Sequence, residues 1–380
     1  MRIALVKRRY SLRHGGSERY CVNLARRLTA LGHGVTVIGE SIDAELAGEV
    51  DFRPVRVNRL TSAGRNRSFA ENAGRAARSG RFDLVYGLGR AFGLDAVRVT
   101  ERLQSHWVRV HYRHPVQQFL QRLNPRHRTL IDLERTIYRS ESVRRIIVQS
   151  RLDHRLVREH YGIGEDKLRI VYNGVDTATF HPGVRNSAAD VRAELGLDGE
   201  PLLVFASMDF EGKGLRSILA ALKATRHRSA RLLVLGTGPV ARFRRIARAF
   251  GVEPRVIFAG RRPEIQRYYG AGDLFVLPTA YEPFPNVNLE ALACGLPALT
   301  TATAGGADVI REGETGYLIS GVDAVGELTE RLDHHLGLSA SALQAMRDRC
   351  WETARTMTVE RNVRETLAVF EEVLREKFRV

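Results

Sequence analysis

The chain is poor in the features that mark secreted, membrane-spanning or metal-built proteins. Its three cysteines, Cys21, Cys294 and Cys350, are odd in number and far apart. That excludes a disulfide framework and a C-x-x-C metal spacing, and leaves reduced thiols of a cytoplasmic protein as the expectation. No run of 18 apolar residues occurs, which excludes a bilayer-spanning helix. The start, Arg2-Ile3-Ala4-Leu5-Val6-Lys7, is too short and too soon basic for a secretory signal, and reads as a buried first strand. Internal repeats and low-complexity stretches are absent. Lysine is scarce: of 59 basic residues only five are lysine (Lys7, Lys167, Lys213, Lys223, Lys377).

What is present is an ordinary globular composition, 44% hydrophobic and 27% charged, in a chain of 380 residues, longer than single cores usually grow. Two domains are expected. The charge is unusual. A formal +16 with pI near 10.3 points to an anionic partner: nucleic acid, an acidic membrane face or a phosphorylated substrate. The planar fork of arginine suits phosphate and carboxylate.

Short apolar runs alternate with helical patterns, which predicts parallel sheets covered on both faces. Strands are expected at Ile3–Lys7, Val35–Gly39, Leu84–Gly87, Ile146–Gln149 and Arg169–Tyr172. In the second half they fall at Leu202–Ala206, Leu232–Leu235, Val256–Ala259, Leu274–Leu277 and Ala298–Thr301. Cys21, Leu24, Ala25, Leu28 and Leu31 recur at helical spacing with Gly32 as the stop, and Ser150 reads as an N-cap. Turn formers from Asn173 to Gly183 make a linker, and Ser339–Thr353 and Val359–Phe378 read as closing helices. The expected architecture is α/β, two Rossmann-like doubly wound parallel-sheet domains with an interdomain cleft. Ligands of such sheets bind at the carboxyl ends of the strands.

Two segments carry chemistry. Arg13-His14-Gly15-Gly16-Ser17-Glu18-Arg19 follows the first strand and opens a helix, where glycines let a ligand approach the backbone and unpaired N–H groups meet an anion. A tight turn without a ligand would look the same. The second is Tyr281-Glu282-Pro283-Phe284-Pro285-Asn286-Val287-Asn288-Leu289-Glu290, running on through Gly295-Leu296-Pro297. A carboxylate is a double acceptor for vicinal hydroxyls, and a loop before a helix exposes donors. Two solvated acids near a helix start are the bland alternative.

The full string, Glu-x7-Glu followed by Ala-x-Ala-x-Gly-x-Pro, resembles the retaining glycosyltransferase family 4. The likeness extends through Asn173-Gly174-Val175-Asp176, Lys213-Gly214, Gly236-Thr237-Gly238-Pro239 and Gly260-Arg261. The Pro-Phe-Pro-Asn variant and the arginine-rich middle look most like the lipopolysaccharide core glucosyltransferases, which add glucose to an inner-core heptose. The resemblance implies a GT-B fold, with an acceptor domain at 1–175, a nucleotide-sugar domain at 176–357 and a C-terminal helix, 358–380, packing back on the first domain.

It also implies roles. Glu290 would bind the donor ribose and Glu282 the transferred hexose near its 3-hydroxyl. Lys213 would neutralise the diphosphate, helped by backbone at Gly15-Gly16 and at Val287. Gly260 and Arg261 would flank the nucleobase. Lys213 and Glu282 would be the catalytic pair, with no divalent metal and no cofactor, the UDP-sugar being a substrate. Three positions depart from the family pattern: Ser207-Met208 stands where many relatives have arginine, Gly212 precedes Lys213, and Pro285 has no N–H, which leaves Phe284, Asn286 or Val287 to face the hexose. Acceptor contacts are expected among Asp95, Arg98 and Glu101, and His106 reads as structural.

From Arg98 to Arg145 there are eleven arginines against four acids. Val116, Phe119, Leu120 and Leu123 share one helical face, as do Leu130, Leu133 and Ile137, with Trp107, Tyr112 and Tyr138 nearby. Such a segment fits an anionic membrane surface through Arg122, Arg126 and Arg128, or a core-facing stripe with a solvated back. The reading is a hexosyltransferase using UDP-glucose and an anionic glycolipid acceptor, peripheral on the inner face of the cytoplasmic membrane. A sibling transferase for O-antigen, capsule or another glycolipid is the alternative. A nucleic-acid-binding protein is disfavoured because zinc-finger spacing, an RNA-binding signature and a recognition helix are lacking.

Overall fold

A computed structural model describes residues 1–13, 15–112 and 114–378; His14 of the glycine-turn motif lies outside the described residues, as do Arg113, Arg379 and Val380. The chain divides into two compact units, Met1–Tyr172 with Glu360–Val380, and Asn173–Val359.

The first unit runs β1 (Arg2–Val6), β2 (Arg9–Tyr10), α1 (Gly16–Ala30), β3 (Gly34–Gly39), β4 (Ser41–Ile42), β5 (Asp51–Pro54) and α2 (Ser62–Ser79). It continues with β6 (Leu84–Gly87), β7 (Ala96–Arg98), α3 (Gln104–His111), α4 (Pro115–Leu123), α5 (Pro125–Arg139), β8 (Arg145–Val148), α6 (Arg151–Tyr161) and β9 (Leu168–Ile170). Its main sheet has the order β5-β3-β1-β6-β7-β8-β9, every pairing parallel. Ile3 to Val6 are fully buried, because β1 sits between β3 and β6 with helices on both faces. The apolar face of α1 turns inward through Cys21, Leu24, Ala25 and Leu28, and α6 starts where the Ser150 hydroxyl accepts from the Asp153 N–H. β5, β7, the two-residue β2 and β4 and, in the second unit, the strand Gly316–Ile319 were not among the expected strands. β7 is three residues long and contains an arginine, and β5 is a polar edge strand, so neither makes an apolar run.

The second unit runs α7 (Ala188–Glu194), β10 (Leu202–Ser207), α8 (Leu215–Ala224), β11 (Arg231–Gly236), α9 (Val240–Ala249), β12 (Val256–Gly260) and α10 (Ile265–Ala271). It continues with β13 (Leu274–Leu277), α11 (Asn286–Ala293), β14 (Ala298–Thr301), β15 (Gly316–Ile319), α12 (Val325–Leu336) and α13 (Ala340–Ala354). The sheet order is β12-β11-β10-β13-β14-β15, again parallel. Helix α14 (Val359–Lys377) then joins the first unit. Phe370 meets the Tyr86 ring edge-on at 4.8 Å, and Arg145 and Arg169 both reach Glu372, at 2.9 and 3.0 Å.

In each sheet the strand order reverses beside the first strand, between β1 and β6 and between β10 and β13. A crevice opens at such a switch point, at the carboxyl ends of the strands. Lys7 and Arg8 follow β1, and Lys213 follows β10.

Candidate functional site

In the second unit the loops after β10 and β13 meet at the switch point. Gly214 caps α8 in the left-handed region (φ +75°), and a Cβ there would lie 2.3 Å from the Pro278 carbonyl oxygen. Only glycine allows so close an approach without strain. The Thr279 hydroxyl and the Ala280 N–H both donate to the Gly212 carbonyl, at 3.2 and 3.3 Å, and the Thr301 hydroxyl donates to the Thr279 carbonyl at 2.6 Å. These bonds lock the two loops together and place Lys213 Nζ 2.5 Å from Glu282 Oε2.

Beyond Glu282 the loop is anchored by buried Tyr281 and Phe284 and by the Glu282 carbonyl, which accepts from the Gly305 N–H at 2.8 Å. Helix α11 then starts at Pro285 without a side-chain cap, so its first-turn N–H groups at Asn286 and Val287 are a ready anion site. Asn286 is held by Asn173, whose Nδ2 donates to Asn286 Oδ1 at 2.6 Å. Glu290 lies one turn further along α11 and stays partly exposed. Gly260 (φ +71°) ends β12, and the exposed Arg261 follows at the same edge of the sheet, two strands from β10. At about 4.8 Å per strand they stand roughly 10 Å from the strand that carries Lys213. The fold therefore gathers Lys213, Glu282, Asn286, Val287 and Glu290, with Gly260 and Arg261 further along the same edge.

In the first unit, Gly15 caps α1 without a side-chain cap and Gly16 opens the helix. Beside them buried Lys7 donates to the Ser17 hydroxyl at 2.9 Å and pairs with Glu18 at 3.7 Å. Glu101 stands at the same edge, paired with Arg90, whose other nitrogens reach Glu134. Desolvation alone would raise the half-exposed Glu101 carboxyl, but the charges of Arg90, Lys7 and Arg8 outweigh it and hold the carboxyl down to about 2.

The other two expected acceptor residues are corrected. Asp95 precedes β7, at the amino end of the strand, and its carboxylate accepts from the Val85 N–H and pairs with Lys377, at 2.8 and 2.9 Å. It pins α14 rather than facing a ligand. Arg98 is 1% exposed, stacks over the Tyr20 ring at 4.6 Å and donates to the Val171 carbonyl, so it lies within the core. His106 packs edge-on against His160, and burial lowers its imidazole to about 4, a neutral structural histidine. The cysteines are buried, and burial raises all three thiols.

The basic middle splits in two. On α5, Leu130, Leu133, Ile137 and also Tyr138 are buried. On α4 nothing is buried: Val116, Phe119, Leu120 and Leu123 are 57–64% exposed, and Arg122, Arg126 and Arg128 beside them are exposed too. Among the described residues no helix is long and apolar enough to cross a membrane.

Comparison with known proteins matches both units. The model of glycosyl transferases group 1 covers residues 200–337, and that of glycosyltransferase family 4 covers residues 14–179. The chain belongs to the family 4 glycosyltransferases. This family 4 chain is 27% identical over 326 residues to the lipopolysaccharide glucosyltransferase WaaG of Escherichia coli K12, covering 84% of this chain and 85% of that protein. The crystal structure of WaaG superposes with a TM-score of 0.83 at 23% identity, covering 97% and 99% of the two chains, which shows the GT-B fold. Anabaena HepE in complex with UDP-glucose has the same fold, with a TM-score of 0.73 at 18% identity and 97% and 100% coverage.

Several polar residues of this glycosyltransferase escaped the sequence. Arg8, Glu40, Arg65, Arg90 and Glu134 gather at the carboxyl edge of the first sheet. Each follows a strand or lies on a helix far away in the chain, so no local spacing announces them. Only the position of Lys7 and Arg8, basic residues just past a fully apolar strand, was a usable signal.

Proposed function

We propose that the protein transfers glucose from UDP-glucose, with retained anomeric configuration and without a divalent metal, onto an anionic glycolipid acceptor, a heptose of the lipopolysaccharide core. The observation that carries this reading is the contact between Lys213 and Glu282 beside the uncapped start of α11. A cation and a row of N–H groups suit a leaving diphosphate, and a carboxylate next to the cation suits hexose hydroxyls. The separation of roughly 10 Å between the strand of Lys213 and the Gly260-Arg261 turn suits a ribose between diphosphate and base. Glu290 binds the ribose hydroxyls.

In the reaction the acceptor hydroxyl attacks the anomeric carbon while the bond from that carbon to the diphosphate oxygen breaks. The acceptor proton passes to a phosphate oxygen of the departing UDP, and Lys213 balances the developing charge. Support for the donor is the UDP-glucose complex of HepE, and support for the acceptor is the likeness to WaaG through both units. The exposed apolar row of α4 and its arginines fit attachment to the anionic inner face of the cytoplasmic membrane.

The test is transfer to heptose-terminated lipopolysaccharide from UDP-glucose, UDP-N-acetylglucosamine and GDP-mannose, each with and without EDTA. UDP-glucose should be used at least tenfold faster than the others, EDTA should change the rate less than twofold, and NMR should show an α-glucosyl product. A preference for GDP-mannose, or loss of activity in EDTA, would overturn the assignment in favour of a sibling transferase or a metal-assisted one.

A further inference from the structure

The switch point of the first sheet holds a cavity of about 400 Å³. Its walls come from the loops after β1, β6 and β7, from the start of α2 with the residues just before it, and from α1 and α5. One side is matched or better in carboxylates: Lys7 pairs with Glu18, and Arg90 with both Glu101 and Glu134. On the other side cations outnumber carboxylates.

There Arg8, Arg59 and Arg65 converge on a single carboxylate, Glu40. Arg65 binds it through two nitrogens at 2.6 and 3.2 Å, Arg59 at 3.2 Å and Arg8 at 4.0 Å. The Glu40 side chain is 3% exposed and stands outside the cavity wall, whereas all three arginines line it. The anion lies behind and the cations face forward, leaving two positive charges for whatever the cavity takes. Burial, eased by Glu101 and reinforced by the charge of Arg65, holds the Arg8 guanidinium below its usual value. Thr61 and Ser62, at the start of α2, line the same side, so the positive end of an 18-residue helix adds to the field. Arg126 also lines the cavity and has no ion-pair partner among the described residues.

We propose that this cavity binds a phosphate monoester carried by the acceptor, clamped by Arg8, Arg59 and Arg65 over the buried Glu40. Two uncompensated guanidinium charges match a dianion, and forked donors match its oxygens. The matched side, with Glu18 and Glu101, is left for sugar hydroxyls. The assignment rests on the glycosyl-transfer reading and names the acidic group of its acceptor.

Titration of the full chain with inorganic phosphate and glucose 6-phosphate, followed by calorimetry, tests it, with glucose as the uncharged control. Wild type should bind both phosphates, and glucose should not displace them. Arg59→Gln and Arg65→Gln should each weaken glucose 6-phosphate at least tenfold, and Arg59→Lys should recover part of the loss. Arg59 is 74% exposed, so its variants keep the fold even if Arg65→Gln does not. Vesicles separate the source of the phosphate. If Arg59→Gln also loses a preference for phosphatidic acid over phosphatidylserine, the group is lipid-borne; if the preference is unaltered while glucose 6-phosphate is lost, it belongs to a sugar. No phosphate binding by wild type, or equal binding by Arg59→Gln, overturns the proposal. UDP titrated in parallel tells the two readings apart: UDP bound with phosphate ignored discards only the clamp, and UDP ignored as well discards the transferase reading beneath it.

Discussion

Lys213 and Glu282 are 69 residues apart in the chain, and the bond between them depends on a residue that makes no side-chain contact at all. Gly214 lets the loop after β10 settle on the Pro278 carbonyl. In Gly214→Ala the left-handed backbone is strained and the new methyl meets that oxygen at 2.3 Å, so one loop must withdraw. Urea denaturation should show a loss of more than about 1 kcal/mol, and affinity for UDP-glucose should fall with it. Native stability together with native affinity would mean that the close approach does not position Lys213. At this scale the sequence was informative where chemistry and spacing are local. Glu282, Asn286, Val287 and Glu290 lie within one loop and two helical turns. It was uninformative where a carboxylate serves partners far along the chain, as Glu40 and Glu134 do. It misled at Asp95, an acid near the right strand but at its wrong end.

At the scale of elements, α4 and α5 both carry an apolar row and lie in one arginine-rich segment, but have opposite surroundings. An apolar row in a basic segment is why the segment admitted two readings. Packing separates them: α5 lies against α2 and buries Leu130, Leu133 and Ile137, whereas every apolar side chain of α4 stays in contact with solvent. An apolar row left out of the core, beside Arg122, Arg126 and Arg128, is the arrangement expected of a helix lying in a lipid interface. Because Phe119 and Leu120 support no core, Phe119→Ser with Leu120→Ser should leave the thermal transition unchanged. Burying each of these side chains is worth about 1.5–3 kcal/mol, so retention on vesicles rich in anionic lipid should drop at least tenfold in flotation. Equal retention of the double variant would remove α4 from the membrane contact. The strands show the complementary limit. The ten expected strands were legible to within a residue or two, whereas β5 and β7 were hidden because they make no apolar run. The four-residue β15 was missed although it is apolar and mostly buried, because so short a run between turns does not stand out.

Over the whole molecule, one rule is used twice. Each unit is a parallel sheet whose order reverses beside its first strand, and each places a lysine in the loop that follows that strand, Lys7 in one and Lys213 in the other. The alternation of apolar runs and helices made this architecture legible, because burial on both faces leaves a strong pattern. Specificity was less legible, since it depends on long side chains converging from several loops. The claim on which the rest depends is that the edge of the second sheet holds a nucleotide-sugar through Lys213, the start of α11 and Glu290. Calorimetric titration of UDP-glucose into wild type and Glu290→Ala addresses it most directly. Losing the charged acceptor of two ribose hydroxyls costs about 3 kcal/mol or more, so affinity should fall at least a hundredfold while the variant's melting temperature stays near wild type. Equal affinity in the two proteins would contradict the account.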